Sequence, residues 1–120
     1  MSKHKLRVND YLDHILQAIE RIERYTIGMD EDAFLENQLV QDAVIRNIEI
    51  LGEAANNIKK SDQEFTDKHT EIPWLAIYAM RNRVSHAYFQ VDLKIVWKTI
   101  RNDLPHMQQQ VRALVQGLSI

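Results

Sequence analysis

The chain has 120 residues, is 45% hydrophobic and carries a formal net charge of −2. That length fits a single domain over residues 1–120, with enough apolar content for one core and a gain in stability from pairing with a copy of itself. No apolar run approaches the ~20 residues that span a bilayer, no apolar stretch follows the basic start Met1-Ser2-Lys3-His4-Lys5 as a secretory leader would require, and the lack of cysteine removes thiolate and disulfide chemistry and fits a cytoplasmic setting.

Apolar residues recur with helical spacing almost everywhere. Leu12, Ile15, Leu16, Ile19 and Ile22 form a first stripe. Asn9 or Asp10 is expected to cap that helix, and Gly28 to end it. Asp30-Glu31-Asp32 opens a short turn through Phe34 and Leu35. A longer helix is expected from about Leu39 to Ile58, with Val44, Ile48, Leu51, Ala55 and Ile58 as its main stripe. Val40, Ile45, Ile50 and Ala54 lie off that stripe, so a second side of this helix must also be buried. Either a partner subunit covers it, or the helix is the centre of its own bundle.

Ser61 and Asp62 open a short polar helix ending near His69. Pro73 suits the first turn of the next helix, which runs through Ile77, Tyr78 and Met80 into Arg81. The last stripe is Leu93, Val96, Trp97, Ile100, Leu104, Met107, Val111, Leu114 and Leu118. Pro105 interrupts it, and Asn102 or Asp103 is expected to cap a fresh helix after a kink. No segment alternates with period two for long enough to argue a strand. The expected fold is all-α, an up-and-down bundle of four or five helices.

One segment stands apart: Arg81-Asn82-Arg83-Val84-Ser85-His86-Ala87-Tyr88 packs two arginines, an asparagine and a histidine inside an apolar frame. Arginine grips phosphate with a planar fork of donors. Histidine, with a reference pKa of ~6.5, exchanges protons near neutral pH. On a regular helix Arg81 and His86 lie roughly 140° apart with ~7.5 Å of rise, so they do not share a face. Acting on one group requires a distorted helix, a groove into which both converge, or two subunits. Asn82 and His86, four apart, do share a face, so Asn82 can orient the imidazole or bind phosphate. Ser85 points elsewhere than its neighbour His86 and is a poor nucleophile candidate. The near-neutral charge excludes a general nucleic-acid coat; contact with nucleic acid would use a local cationic spot. Three glycines make no phosphate-cradling loop.

Arg81, four residues, His86, one residue, Tyr88 matches the signature of the HEPN superfamily. More narrowly, the chain resembles the HepT-like toxins, which are paired with a minimal nucleotidyltransferase. The resemblance extends to Gln41–Ala54, to Ile72-Pro73-Trp74 and to Val91–Trp97, and so covers nearly the whole chain. It implies the toxin of a type VII toxin–antitoxin system: a homodimeric, metal-independent endoribonuclease with no cofactor. Arg81 and His86 would be catalytic, the products a 2′,3′-cyclic phosphate and a 5′-hydroxyl, and DNA would be spared. A nucleotidyltransferase antitoxin would silence it by AMPylating Tyr88, whose other reading is a ring that simply packs.

Arg46, Glu53 and Asn57 share a polar stripe that either lines the cleft and touches RNA or is merely solvated. Arg83 either adds to the cationic spot or snorkels to water. The pairs Asp10/His14 and Asp103/His106 have no third ligand, which argues against a metal site. Trp74 and Trp97 read as core. Two other functions fit the same residues: a non-catalytic nucleotide- or partner-binding subunit of a nucleotidyltransferase complex, and a structural interaction domain.

Overall fold

The computed structural model describes residues 3–86 and 92–118, with the side chains of residues 3–6, 83–86 and 118 outside that description. Among the described residues every regular element is helical: α1 (Lys3–Tyr25), α2 (Glu31–Leu35), α3 (Gln38–Ser61), α4 (Gln63–Lys68), α5 (Trp74–His86), α6 (Leu93–Lys98) and α7 (Leu104–Leu118). The all-α architecture is the one the periodicity predicts.

α3 is the centre of the molecule, packed against α1 on one side and α5 on the other, while α7 closes against α1. The α1 stripe Val8, Leu12, Ile15, Ile19 and Ile22 meets the α3 stripe Val44, Ile48, Leu51, Ala55 and Ile58, and all ten are buried. The one polar side chain buried in α3, Asn47, is satisfied there: its Nδ2 donates to Ala43 O at 2.8 Å, and its Oδ1 accepts from Arg21 Nη1 at 3.4 Å. Of the two accounts of α3's second apolar side, the chain itself supplies one. Ala54 is buried, Ile50 packs partly against the core, and α5 lies against this helix.

Local chemistry sets most boundaries. Asp30 caps α2 by accepting from Ala33 N at 2.8 Å, and Asn37 caps α3 by accepting from Val40 N at 3.0 Å. Asp62 caps α4 by accepting from Phe65 N at 3.0 Å. Gly28, in the turn that follows α1, has φ +74, a left-handed backbone that only glycine adopts freely.

Two expectations fail. Asn9 and Asp10 do not cap α1; they lie inside it, because Val8 extends the apolar stripe and is 2% exposed. Burying that turn outweighs the capping preference of Asn and Asp. Nor do Asn102 and Asp103 cap a new helix. Residues Thr99–Asp103 form a π-helical turn that joins α6 to α7 without a break. Pro105 has no N–H and its ring crowds the carbonyl four residues back. Widening the turn answers this: Leu104 N donates to Thr99 O, five residues away. Ile100, Leu104, Met107, Val111 and Leu114 all stay buried across the junction.

Candidate active site

The polar residues of α3 are set by its register. Arg46, Glu49, Glu53 and Asn57 are spaced by three, four and four, so they share one face. That face turns away from α1 because the stripe Val44, Ile48, Leu51, Ala55 and Ile58 takes the α1 side. Together with Ile50 and Ala54 of α3, His14 of α1 and Arg81 of α5, it lines a groove of about 560 Å³.

Arg81 enters this groove at a fixed point. Gly52 of α3 is buried beneath it; a Cβ at Gly52 would overlap Arg81 Cβ and come within 3.0 Å of Arg81 Cγ and 3.3 Å of Ile77 O. Glycine here allows α5 to approach α3 closely enough for the arginine stem to lie across it. The guanidinium then finds two partners. Nη1 donates to Asn82 Oδ1 at 3.1 Å, and Nη2 lies 3.4 Å from Glu53 Oε2. Its Cζ stands 5.8 Å from the centre of the Tyr78 ring. Among these described partners two of five N–H donors are engaged. A planar fork of donors such as this suits an oxyanion.

The other cation of the groove is looser. Arg46 is 71% exposed, with Nη1 3.8 Å from Glu49 Oε1 one turn along α3. Such an exposed pair contributes about 0–1 kcal/mol, so Arg46 is only weakly held.

The structure thus brings together Arg46, Glu53, Asn57, Asn82 and Arg81 around one region, four of them lining the groove and the fifth, Asn82, bonded to Arg81. Asn82, expected to orient His86 or bind phosphate, accepts from Arg81 among the described residues. α5 remains helical through His86, so Arg81 and His86 keep the angular separation that a regular helix dictates. The side chains of His86, Ser85 and Arg83, and the whole of Tyr88, lie outside the described residues. Sequence reasoning missed three contributors: His14, set aside as half of a weak metal pair; Glu49; and Gly52. A helical wheel of α3 carries the signal for Glu49. No one-dimensional signal places His14 or Gly52, because each depends on which helix lies alongside. Among the described residues no three His, Cys, Asp or Glu side chains cluster as a metal site would require. No described helix is long and apolar enough to cross a membrane.

A family model described as "Ribonuclease HepT-like" matches residues 15–114. The chain belongs to the HepT-like family of the HEPN superfamily. A protein of Thermococcus cleftensis named "Probable ribonuclease HepT" is 42% identical over 105 residues, 88% of this chain and 93% of the relative. A "Putative RNase" of Caldanaerobacter subterraneus subsp. tengcongensis is 37% identical over 106 residues, 88% of this chain and 92% of its own. A "Gamma-glutamylcyclotransferase and putative RNase" of Methanocaldococcus jannaschii is 40% identical over 111 residues, which is 92% of this chain but only 49% of that protein. The HepT-like chain therefore spans about half of this last relative. No solved structure matches the sequence.

Proposed function

We propose that this HepT-like chain is an endoribonuclease that cuts RNA by internal transphosphorylation, without metal or other cofactor, as the toxin of a type VII toxin–antitoxin pair in the cytoplasm. The observation that carries the reading is the anchored guanidinium of Arg81. It opens onto a groove with a second arginine, Arg46, and with Asn57. The names of the relatives speak of RNases, and an RNA substrate suits a groove that offers cations for phosphates.

In the proposed reaction the ribose O2′ gives its proton to an imidazole as it bonds to phosphorus. The P–O5′ bond breaks, and O5′ takes a proton from an imidazolium. The products are a 2′,3′-cyclic phosphate and a 5′-hydroxyl. Arg81 stabilises the charge that accumulates on the non-bridging oxygens. His86 supplies one proton transfer. Because Arg81 and His86 lie on different faces of α5, the cleft is completed in a homodimer, where His86 of the partner subunit supplies the other. Arg46 and Arg83 hold neighbouring phosphates, and Asn82 fixes the arginine. DNA lacks the nucleophilic hydroxyl and is spared.

Regulation is proposed at Tyr88. The phenolic oxygen would attack the α-phosphorus of ATP in the active site of a nucleotidyltransferase antitoxin. Pyrophosphate leaves, the phenolic proton is lost, and AMP remains on the tyrosine. Bulk and negative charge two residues from His86 would then block RNA by repulsion.

The test is product analysis in excess chelator. The protein should leave cyclic-phosphate ends on RNA and leave DNA of the same sequence intact; 3′-hydroxyl ends or equal cutting of DNA would refute the chemistry. Sedimentation at micromolar concentration should give a dimer, and a monomer would refute the two-histidine arrangement. Incubation with the partner and ATP should add AMP mass to wild type but not to Tyr88→Phe. Equal addition to both would move the modification elsewhere.

A further inference from the structure

We propose that Glu53 is a positioning residue for Arg81: it holds one terminal nitrogen of the guanidinium while Asn82 holds the other, so the arginine meets the phosphate already oriented. The inference rests on the ribonuclease reading and adds a residue and a kinetic signature to it.

The pair is poorly placed to serve stability. Glu53 is 49% exposed on its side chain and Arg81 32%, and the Nη2–Oε2 distance is 3.4 Å, outside the tight range of a charge-assisted hydrogen bond. Exposed pairs of this kind are worth little to the fold. The geometry serves orientation instead. Asn82 Oδ1 takes Nη1 and Glu53 Oε2 takes Nη2. The base of the side chain is pinned from below by buried Gly52, so both ends of a flexible side chain are constrained. An arginine free to rotate would lose rotamer entropy each time it engaged a phosphate; one held at both ends has met that cost during folding.

The same carboxylate carries a penalty. It stands in the groove where the substrate's phosphate must come, and like charges repel. Glu53 therefore opposes ground-state binding of RNA while favouring the transition state, in which the fixed guanidinium faces the fully developed charge. Removing it should slow the chemical step without weakening RNA binding. A merely structural residue would not act this way; its loss would lower the melting temperature and raise KM along with any fall in kcat.

The experiment measures steady-state cleavage of a short RNA by wild type, Glu53→Gln and Glu53→Ala, with melting curves, and records arginine side-chain NMR spectra of ¹⁵N-labelled wild type and Glu53→Ala. Glu53→Ala is expected to lower kcat by about tenfold or more with KM equal to or below wild type. Glu53→Gln, which keeps an oxygen of the same reach, should fall between the two. The terminal-nitrogen signals of Arg81 should be separated by hindered rotation in wild type and merged in Glu53→Ala. Less than a threefold fall in kcat for Glu53→Ala overturns the inference, as does a proportional rise in KM with a lowered melting temperature. Merged Arg81 signals in wild type also overturn it. Separated signals in a protein that leaves RNA uncut refute the ribonuclease reading while leaving the clamp in place.

Discussion

The two sides of α3 do opposite work. Toward α1 the helix presents Val44, Ile48, Leu51, Ala55 and Ile58, each at most 1% exposed, against an apolar stripe that answers it residue for residue. Toward the groove the same helix presents Arg46, Glu49, Glu53 and Asn57, and at Gly52 it gives up its side chain altogether so that Arg81 can come close. One side is bound by burial, and its one buried polar side chain, Asn47, is hydrogen-bonded to Arg21 and to Ala43 O. The other carries charges whose pairings are long and exposed, and contributes little to stability. A helix held firmly on one side can afford a reactive surface on the other, because its position does not depend on that surface.

Changes on the two sides should therefore fail in different ways. Leu51→Ala, on the α1 side, should cost about 2–5 kcal/mol of stability by lost burial and a residual cavity. Chemical denaturation measures this, and cleavage per folded molecule should hold. Arg81→Ala should do the reverse, lowering kcat by about 10²–10³ as expected for a lost oxyanion donor, with a melting curve close to wild type. Gly52→Ala breaks the division, because it lies beneath both: the overlap with Arg81 should cost about 1–3 kcal/mol and lower cleavage together, read by the same two assays. Arg46→Ala should have the smallest effect. RNA affinity should fall a few-fold at low salt, and the slope of log affinity against log salt should shrink by about 0.7, the value for one phosphate contact on a single strand.

The stable side was legible from the sequence and the reactive side only in part. Apolar spacing gave the α1 and α3 stripes, and residue type gave the helix starts at Asp30 and Asp62 and the stop at Gly28, since these are periodic or local facts. Where a tertiary contact outweighed a local preference the reading failed: Val8 carried α1 past its expected cap, and the widened turn before Pro105 joined two helices that a capped restart would have separated, with the expected stripe intact. Composition marked Arg81 as unusual, and the family signature attached His86 and Tyr88 to it. The Glu53–Arg81 pair joins residues on separate helices, and its existence depends on Gly52 letting those helices meet. Nothing in the spacing of either helix encodes that.

The central claim is that Arg81 and His86 cut RNA without a metal. RNA incubated in excess chelator with equal folded amounts of wild type, Arg81→Ala and His86→Ala tests it most directly. The account predicts cleavage by wild type and a loss of ~100-fold or more in each variant; equal cleavage by all three, or activity in wild type only after a divalent metal is added, would contradict it.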